Sequence, residues 1–151
     1  INSNLGEELN NLDYYHQNGP KSLGSEWVEK EVFPILEKEE DELTKLGTFY
    51  SHIAYQITRS LEINQLKSVL VTGGGAKNSF LIDLIKDQYK GEVIIPENDI
   101  IDFKEAIAFA FLGALRLNNM LNVYASVTGA RKSSCSGVIF KMNYERLTRE
   151  V

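Results

Sequence analysis

The sequence feature that most constrains the fold is a run of three glycines, Gly73, Gly74 and Gly75, directly after a short apolar segment. This segment, residues 68–71, is of the β-branched kind found in strands buried in parallel sheets. Because glycine has no Cβ, three in succession let the main chain turn sharply and come close to a ligand. The pattern therefore predicts a strand that ends in a tight turn at the edge of a sheet.

A helix and a second strand complete this unit. Asn78 or Ser79 is predicted to cap a helix that runs to residue 88, and Gly91 is predicted to end it from the left-handed conformation. Residues 93–95 form the next predicted strand. The alternation of strand, helix and strand predicts an α/β fold with a small, mostly parallel sheet and long packing helices.

Two long helices are expected to pack around that sheet. The first covers about residues 39–61 and has apolar side chains at steps of three and four, which predicts one buried face. The positions on this face are Leu43, Leu46, Tyr50, Ile53, Ile57 and Leu61. The second covers about residues 102–118 and is apolar nearly all round, so it is expected inside the protein or between two layers. A brief strand is predicted at residues 138–140. Residues 5–15 are predicted to form a short helix or loop, which Gly19 and Pro20 end.

Composition limits the possible partners. The chain has 151 residues, the size of one ordinary domain, and a formal net charge of −5. Nucleic acids and acidic membranes call for clustered cations, and only Arg131 and Lys132 lie together in a predicted loop, so neither partner is expected. The single cysteine, Cys135, excludes an internal disulfide, and with two scattered histidines it predicts no metal site.

The ends and the apolar runs of the chain give two further expectations. No apolar run approaches the roughly 20 residues that cross a bilayer, so a cytoplasmic location is expected. The chain opens with Ile1 rather than methionine, within a polar segment, so it is expected to be a fragment of a longer protein.

The glycine turn is the strongest indication of function. A helix N-terminus after a glycine turn offers N–H groups and partial positive charge to an anion, and ligands gather where parallel strands end. A tight turn in which the glycines serve packing alone is the other interpretation, but three in a row favour a nucleotide. A Rossmann fingerprint requires a third glycine where Asn78 stands, although Glu97 falls near the place of its ribose-binding acid. The Gly-Lys-Ser/Thr of a P-loop is missing from the sequence.

The stretch from residue 71 to residue 78, Val-Thr-Gly-Gly-Gly-Ala-Lys-Asn, followed by Phe-Leu at residues 80–81, resembles the adenosine-contacting turn of the sugar kinase, hsp70 and actin superfamily. Three further stretches narrow the resemblance to the anhydro-N-acetylmuramic acid kinase family, and it covers nearly the whole chain. They are Pro-Lys-Ser-Leu-Gly at residues 20–24 with Glu-Trp at 26–27, Lys-Glu-Ala-Ile-Ala-Phe-Ala at 104–110, and Ser-Val-Thr-Gly-Ala at 126–130. Leu23 and Ser25 depart from the family's Thr and Arg, and Ala125 replaces a proline.

The resemblance implies ATP-dependent phosphorylation of an anhydro-muramic sugar, with opening of its anhydro ring by water, in cell-wall recycling. It also implies the C-terminal lobe of a ribonuclease H-like, actin-like ATPase fold, so that residues 1–151 are one partial domain without the N-terminal lobe. In such enzymes a catalytic aspartate lies in an Asp-Thr-Gly type segment, and this sequence contains none. The chain alone is therefore expected to be inactive. ATP, Mg²⁺ bound largely through the other lobe, an amino-sugar substrate and a homodimer of the full-length protein are also implied.

The predicted site residues come from these stretches. The predicted nucleotide-binding residues are Gly73, Gly74, Gly75, Ala76, Asn78, Lys21, Ser22 and Gly24. Glu105 is predicted to contact the sugar; the alternative is that it closes a capping box with Asp102 at the start of its helix. No catalytic residue and no metal ligand is assigned. Trp27 and the Phe103, Phe109 and Phe111 cluster are predicted to serve packing, and His52 is predicted to be a surface or hydrogen-bonded core residue.

Two other functions stay open. The chain could be a Rossmann-like dinucleotide or cofactor domain, in which Glu97 would matter. It could also be a non-catalytic module that binds a nucleotide for regulation. Ser126, Thr128 and Gly129 are predicted to form a turn rather than a ligand-binding loop.

Overall fold

The computed structural model describes residues 1–17 and 21–140, so Gly19 and Pro20 lie outside the described residues. The chain divides into two compact units, Ile1–Asp102 and Phe103–Val151, and each is considered by itself. That residues 1–151 form a single partial domain stays a prediction.

The first unit begins with short helices around a small apolar core. They are α1 (Ser3–Asn10), α2 (Asp13–His16), α3 (Ser25–Trp27), a π-helical turn (Val28–Val32) and α4 (Phe33–Leu36). Their buried side chains are Leu5, Leu9, Val32, Ile35 and Leu36. Trp27 packs against this core, with its ring 4.9 Å from that of Tyr14, so its predicted packing role is confirmed.

The longest helix, α5 (Glu42–Ile63), begins three residues later than predicted. The carboxylate of Asp41 caps it by accepting a hydrogen bond of 2.8 Å from Thr44 N, which satisfies a main-chain donor of the first turn. The residues before Asp41 are therefore left outside the helix.

The predicted buried face of α5 is wrong in its first half. Leu43 is 80% exposed and Leu46 is 52% exposed. The buried residues are instead Thr48, His52, Ala54 and Thr58. The reason is that polar groups at both ends of α1 contact α5: Asn2 N, in the N-cap of α1, donates to Thr48 Oγ1 at 2.8 Å, and Asn10 Oδ1 accepts from His52 Nδ1 at 2.7 Å. Ile57 and Leu61, in the second half, do pack against the core as predicted.

The predicted β–α–β unit is confirmed. Strands β1 (Ser68–Leu70) and β2 (Glu92–Ile94) pair in parallel, with Val69 opposite Val93. Helix α6 (Ser79–Gln88) connects them and packs on α5 through a core of Ala54, Ile85 and Tyr89.

The strands themselves are only half-covered, in contrast to the prediction of buried strands. Val69 and Val93 pack against the core of α5 and α6, whereas Leu70 and Ile94 point to the opposite face and are exposed. Successive side chains of a strand point to opposite faces, so one face of this sheet is covered and the other is open in the described part of the chain.

Gly91 does not end α6 from the left-handed conformation, so that prediction is wrong. The residue at the helix end is Tyr89, with φ of −95°, and Gly91 is not among the glycines with positive φ. Its position excludes a side chain for lack of space instead. A Cβ at Gly91 would lie 2.4 Å from Tyr89 Cζ and 2.6 Å from the carbonyl oxygen of Lys67.

The apolar helix α7 (Asn98–Leu117) begins four residues before the predicted start. Its burial was predicted wrongly: Phe103, Phe109 and Phe111 are exposed, as are most residues of the helix, while Ile101 is buried. An apolar helix is buried only by what packs on it, and the described residues do not cover these side chains. The predicted packing role of the phenylalanines is therefore not fulfilled within this part of the chain.

The second unit has little regular structure beyond α7. An isolated antiparallel bridge joins Val123 and Ser134, and a short helix α8 (Ala125–Thr128) follows the first of these. The strand predicted at residues 138–140 is not formed; this segment has no strand pairing in the described chain. Arg116 Nε donates to the carbonyl of Gly137 at 2.8 Å instead. None of the helices described is long and apolar enough to span a bilayer.

Candidate functional site

The turn after β1 has the geometry expected for a close approach of main chain to a ligand. Gly73 has φ of 79° and ψ of −175°, a conformation that side-chain-bearing residues rarely adopt. A 3₁₀ turn (Gly74–Lys77) follows, in which Ala76 N donates to Gly73 O at 3.0 Å. The chain therefore reverses direction within a few residues at the carboxyl end of β1.

The space in front of the glycines is open. A Cβ built on Gly73, Gly74 or Gly75 would meet no heavy atom within 4 Å. Close packing by neighbouring groups therefore does not explain the three glycines. Since Gly74 and Gly75 also lack a positive φ, backbone strain does not explain them either.

Asn78 links the turn to helix α6. Its Oδ1 accepts a hydrogen bond of 3.1 Å from Leu81 N, and its carbonyl accepts from Ile82 N at 3.0 Å. The prediction that Asn78 caps this helix is confirmed. The N-terminus of α6, with its partial positive charge, therefore lies directly after the glycine turn.

We expect the Asn78→Ala variant to lose about 1 kcal/mol of unfolding free energy, because an N-cap side chain satisfies an otherwise unpaired helix donor. Urea unfolding followed by circular dichroism measures the change. Ser79→Ala, at the next position, is the matched control and should leave the unfolding midpoint nearly unchanged. Equal midpoints for Asn78→Ala and wild type would contradict the capping role.

Lys77, at the end of the turn, forms a salt bridge with Asp102. Both side chains are about half-exposed, so the pair contributes at most about 1 kcal/mol. It nevertheless ties the glycine turn to the first part of α7. Sequence spacing gives no indication of this contact, because the two residues lie on different elements.

The same salt bridge bears on Glu105. Helix α7 begins at Asn98, so Asp102 lies inside the helix and its carboxylate is engaged by Lys77. The alternative prediction, that Glu105 closes a capping box with Asp102, is therefore wrong. Glu105 is exposed on α7, which removes the expected cost of a buried unpaired carboxylate. Its contact with the sugar stays a prediction.

Lys21 lies beside a different cavity from the glycine turn. Its Nζ donates to the carbonyls of Tyr14 at 2.8 Å and Gln17 at 3.1 Å. The cavity that Lys21 lines is formed by residues of α2 and the second half of α5, and the glycine turn is not part of the lining. The nucleotide-binding roles of Lys21, Ser22 and Gly24 stay predictions.

Ser126, Thr128 and Gly129 form a local turn, as predicted. Ser126 and Thr128 belong to α8, and Thr128 Oγ1 donates to the carbonyl of Tyr124 at 3.0 Å. Gly129 ends the helix from the left-handed conformation, with φ of 70°. Within the described residues, no group of three histidine, cysteine or acidic side chains could hold a metal ion.

His52 is a hydrogen-bonded core residue. It is 3% exposed, its Nδ1 donates to Asn10 Oδ1 at 2.7 Å, and its Nε2 accepts from Tyr15 Oη at 2.9 Å. These two bonds satisfy the neutral imidazole. Burial lowers the pKa of His52 from 6.5 to about 4, and burial together with the nearby Tyr14 raises the pKa of Tyr15.

We expect the unfolding free energy to fall by about 2–3 kcal/mol between pH 6.5 and pH 4 on account of His52. The sign follows because the unfolded chain binds a proton near pH 6.5 while the folded chain does not until about pH 4. Urea unfolding at several pH values measures this loss, and His52→Gln should flatten the curve in that window. The exposed His16→Gln is the control, and an unflattened curve for His52→Gln would refute the assignment.

Comparison with known proteins identifies the family of this chain. The family model described as anhydro-N-acetylmuramic acid kinase matches residues 1–142. The anhydro-N-acetylmuramic acid kinase of Francisella tularensis subsp. novicida is 34% identical over 145 residues, which cover 88% of this chain and 38% of that protein. That of Haemophilus influenzae is 32% identical over 163 residues, covering 93% of this chain and 42% of that protein.

A third relative, the anhydro-N-acetylmuramic acid kinase of Rhodococcus erythropolis, is 31% identical over 143 residues, covering 90% of this chain and 36% of that protein. The chain thus spans about two fifths of the length of these relatives. Because the family model matches nearly the whole chain, this chain belongs to the anhydro-N-acetylmuramic acid kinase family.

Proposed function

We propose that this chain supplies the nucleotide-binding part of an ATP-dependent kinase that phosphorylates 1,6-anhydro-N-acetylmuramic acid and opens its anhydro ring. Family membership supports the kinase class and the sugar. The fold assignment that goes with it, the C-terminal lobe of an actin-like ATPase, is part of the same proposal. The small parallel sheet flanked by helices is consistent with it.

The observation that carries the nucleotide site is the open space at the glycine turn. Bare main chain at Gly74 and Gly75 faces no neighbouring atom, and the N-terminus of α6 follows at once. A flat nucleoside can lie against main chain that has no side chains, and the helix N-terminus favours the negative charge of a phosphate. Ala76 is buried and contributes through its main chain, and Asn78 holds the helix end in place.

We assign no catalytic residue and no Mg²⁺ ligand to this chain. The described residues contain no cluster of acidic or histidine side chains that fits a metal ion. Phosphoryl transfer depends on positioning and on charge stabilisation by groups around the phosphates. We therefore propose that the chain binds and orients the nucleotide, and that the remaining groups belong to other parts of the complete protein.

The cellular setting is also a proposal. A kinase for an anhydro-muramic sugar fits cell-wall recycling in the cytoplasm, and we expect the complete protein to form a homodimer.

A kinase assay on the complete protein tests the function. With ATP, Mg²⁺ and 1,6-anhydro-N-acetylmuramic acid, we expect sugar-dependent release of ADP and a new phosphomonoester signal in the phosphorus NMR spectrum. The Glu97→Ala variant should retain its affinity for ATP, because this exposed acid has no role in the proposed site. Loss of nucleotide binding in that variant would favour a dinucleotide domain. Nucleotide binding without any sugar-dependent turnover would favour a regulatory module.

We expect Glu105→Ala in the complete protein to lower kcat/KM for the sugar by about tenfold or more, as for loss of a hydrogen bond to a polar substrate group. The melting temperature should stay within about 1 °C of wild type, because surface substitutions away from caps and cores change stability by at most about 0.5 kcal/mol. Steady-state kinetics and thermal unfolding measure the two quantities. Glu62→Ala, an exposed acid on α5, is the control, and a large loss of stability with normal kinetics would contradict a substrate role.

A further inference from the structure

A cavity of about 260 Å³ beside α2 and the second half of α5 differs in charge from the rest of the chain. Its lining includes two cations, Lys21 and Arg59, and polar groups of Gln56, Ser60 and Asn64. Among the described residues that line it, none is acidic, although the chain as a whole carries a net charge of −5. Two cations without a carboxylate in one concave site produce a positive potential that favours an anion.

The two cations are available to a ligand in different ways. The ammonium of Lys21 donates to the carbonyls of Tyr14 and Gln17, which fixes its position. Those two bonds use two of its three donors and leave one. The guanidinium of Arg59 takes part in none of the side-chain hydrogen bonds or salt bridges found in residues 1–17 and 21–140, so all of its donors remain.

The chemistry of these donors selects the kind of anion. A guanidinium presents parallel N–H donors that match two oxygens of a phosphate, while an ammonium acts as a compact point charge. Ser60 and the amides of Gln56 and Asn64 can donate further hydrogen bonds to oxygens. An oxyanion with several exposed oxygens therefore fits better than a halide or an apolar acid.

The size of the cavity limits the ligand. Sites for drug-sized ligands have volumes of about 300–1,000 Å³, and this cavity lies just below that range. It can hold a phosphate group with a few further atoms, but it is small for a whole nucleotide.

We propose that this cavity is a binding site for a small phosphate-bearing anion, held by Arg59 and Lys21. The site does not depend on the glycine turn, whose residues do not line it. Lys21 accordingly serves this second site. Arg59, which no motif of the sequence indicated, is the main residue that binds the anion.

Binding of inorganic phosphate and of glycerol 3-phosphate to the complete protein, measured by isothermal titration calorimetry at constant ionic strength, tests the proposal. We expect saturable binding of at least one of the two, weakened at least about tenfold in Arg59→Gln, because a charge-assisted hydrogen bond is lost. Tighter binding of the ester would identify a phosphomonoester as the ligand, and equal or tighter binding of phosphate would identify the free ion.

Three further variants make the test specific. Ser60→Asp places a carboxylate in the lining at an exposed position and should abolish binding while the protein stays folded. Arg131→Gln removes an exposed cation that does not line the cavity and should leave binding unchanged. Gly74→Leu should also retain it, which separates this site from the nucleotide site. Absence of saturable binding of both ligands, or wild-type affinity in Arg59→Gln and Ser60→Asp, would overturn the proposal.

Discussion

Replacement of Gly74 by leucine is expected to raise the dissociation constant of the complete protein for ATP by at least about 100-fold, which corresponds to about 2.7 kcal/mol. The reason is steric. The leucine side chain would enter the open space in front of the turn, where we place the nucleoside. A ligand cannot approach the main chain at that point once a branched side chain stands over it.

The same substitution should leave the protein folded. A Cβ at Gly74 meets no atom within 4 Å, and the residue does not have a positive φ, so the Cβ of leucine adds neither a clash nor backbone strain, and the rest of the side chain starts into open space. We expect the unfolding free energy to change by at most about 0.5 kcal/mol, as for other exposed substitutions. Calorimetric titration with a non-hydrolysable ATP analogue and urea unfolding measure the two effects.

Lys86→Leu is the matched control for this variant. It adds an exposed leucine to α6, the helix that follows the turn, but in its last turn. The control should bind ATP as wild type does. Unchanged affinity in Gly74→Leu itself would remove the basis for a nucleotide site at this turn.

The glycines also show what the sequence could predict about the site and what it could not. The order of strand, glycine turn and helix was correctly predicted, because these features depend on residues that are close in sequence. The physical reason for each glycine could not be predicted from the sequence, because it depends on neighbours from elsewhere in the chain. Gly73 is required by its positive φ, Gly74 and Gly75 face open space, and Gly91 lies against the carbonyl of Lys67, the residue before β1.

Burial was predicted less well than helix formation, for a related reason. Apolar periodicity located α5 and α7 to within a few residues, but it does not identify the partner of each face. The contact of α5 with α1 is polar, so Thr48 and His52 are buried where Leu43 and Leu46 were expected. The side chains of α7 are apolar all round, yet the described part of the chain does not cover them.

Prediction of the candidate site was limited in the same way, because local sequence patterns do not identify contacts between distant residues. The cap at Asn78 could be predicted because its partner is three residues away. The pairing of Lys77 with Asp102 and the cavity between Lys21 and Arg59 join residues 25 and 38 positions apart, respectively, and no local pattern indicates them. Family resemblance could supply candidate residues, but only the three-dimensional arrangement shows which of them line a common cavity.

The second large effect is expected on the unfolding free energy when Gly91 is replaced. We expect Gly91→Ala to lower the unfolding free energy by about 2–4 kcal/mol, at or above the usual cost of overpacking a well-packed site. The added methyl group would lie 2.6 Å from Lys67 O, which accepts the hydrogen bond from Glu92 N that begins the pairing of β1 with β2. It would also lie 2.4 Å from the ring of Tyr89, whose hydroxyl donates to Leu66 O at 2.8 Å. Moving the Lys67 carbonyl away would disturb its bond with Glu92 N, and moving the Tyr89 ring would disturb its bond with Leu66 O.

Urea unfolding of the complete protein measures this loss, and Gly75→Ala is the matched control because its Cβ would meet open space. If Gly91 served only to end α6 from the left-handed conformation, Gly91→Asn would be tolerated, since asparagine adopts that conformation more readily than most residues. The spatial explanation requires the opposite result, because the Cβ of asparagine meets the same carbonyl. A Gly91→Asn variant as stable as wild type would therefore refute it, whereas losses of similar size for alanine and asparagine would establish that the space beside the Lys67 carbonyl, rather than the backbone angle, requires a glycine here.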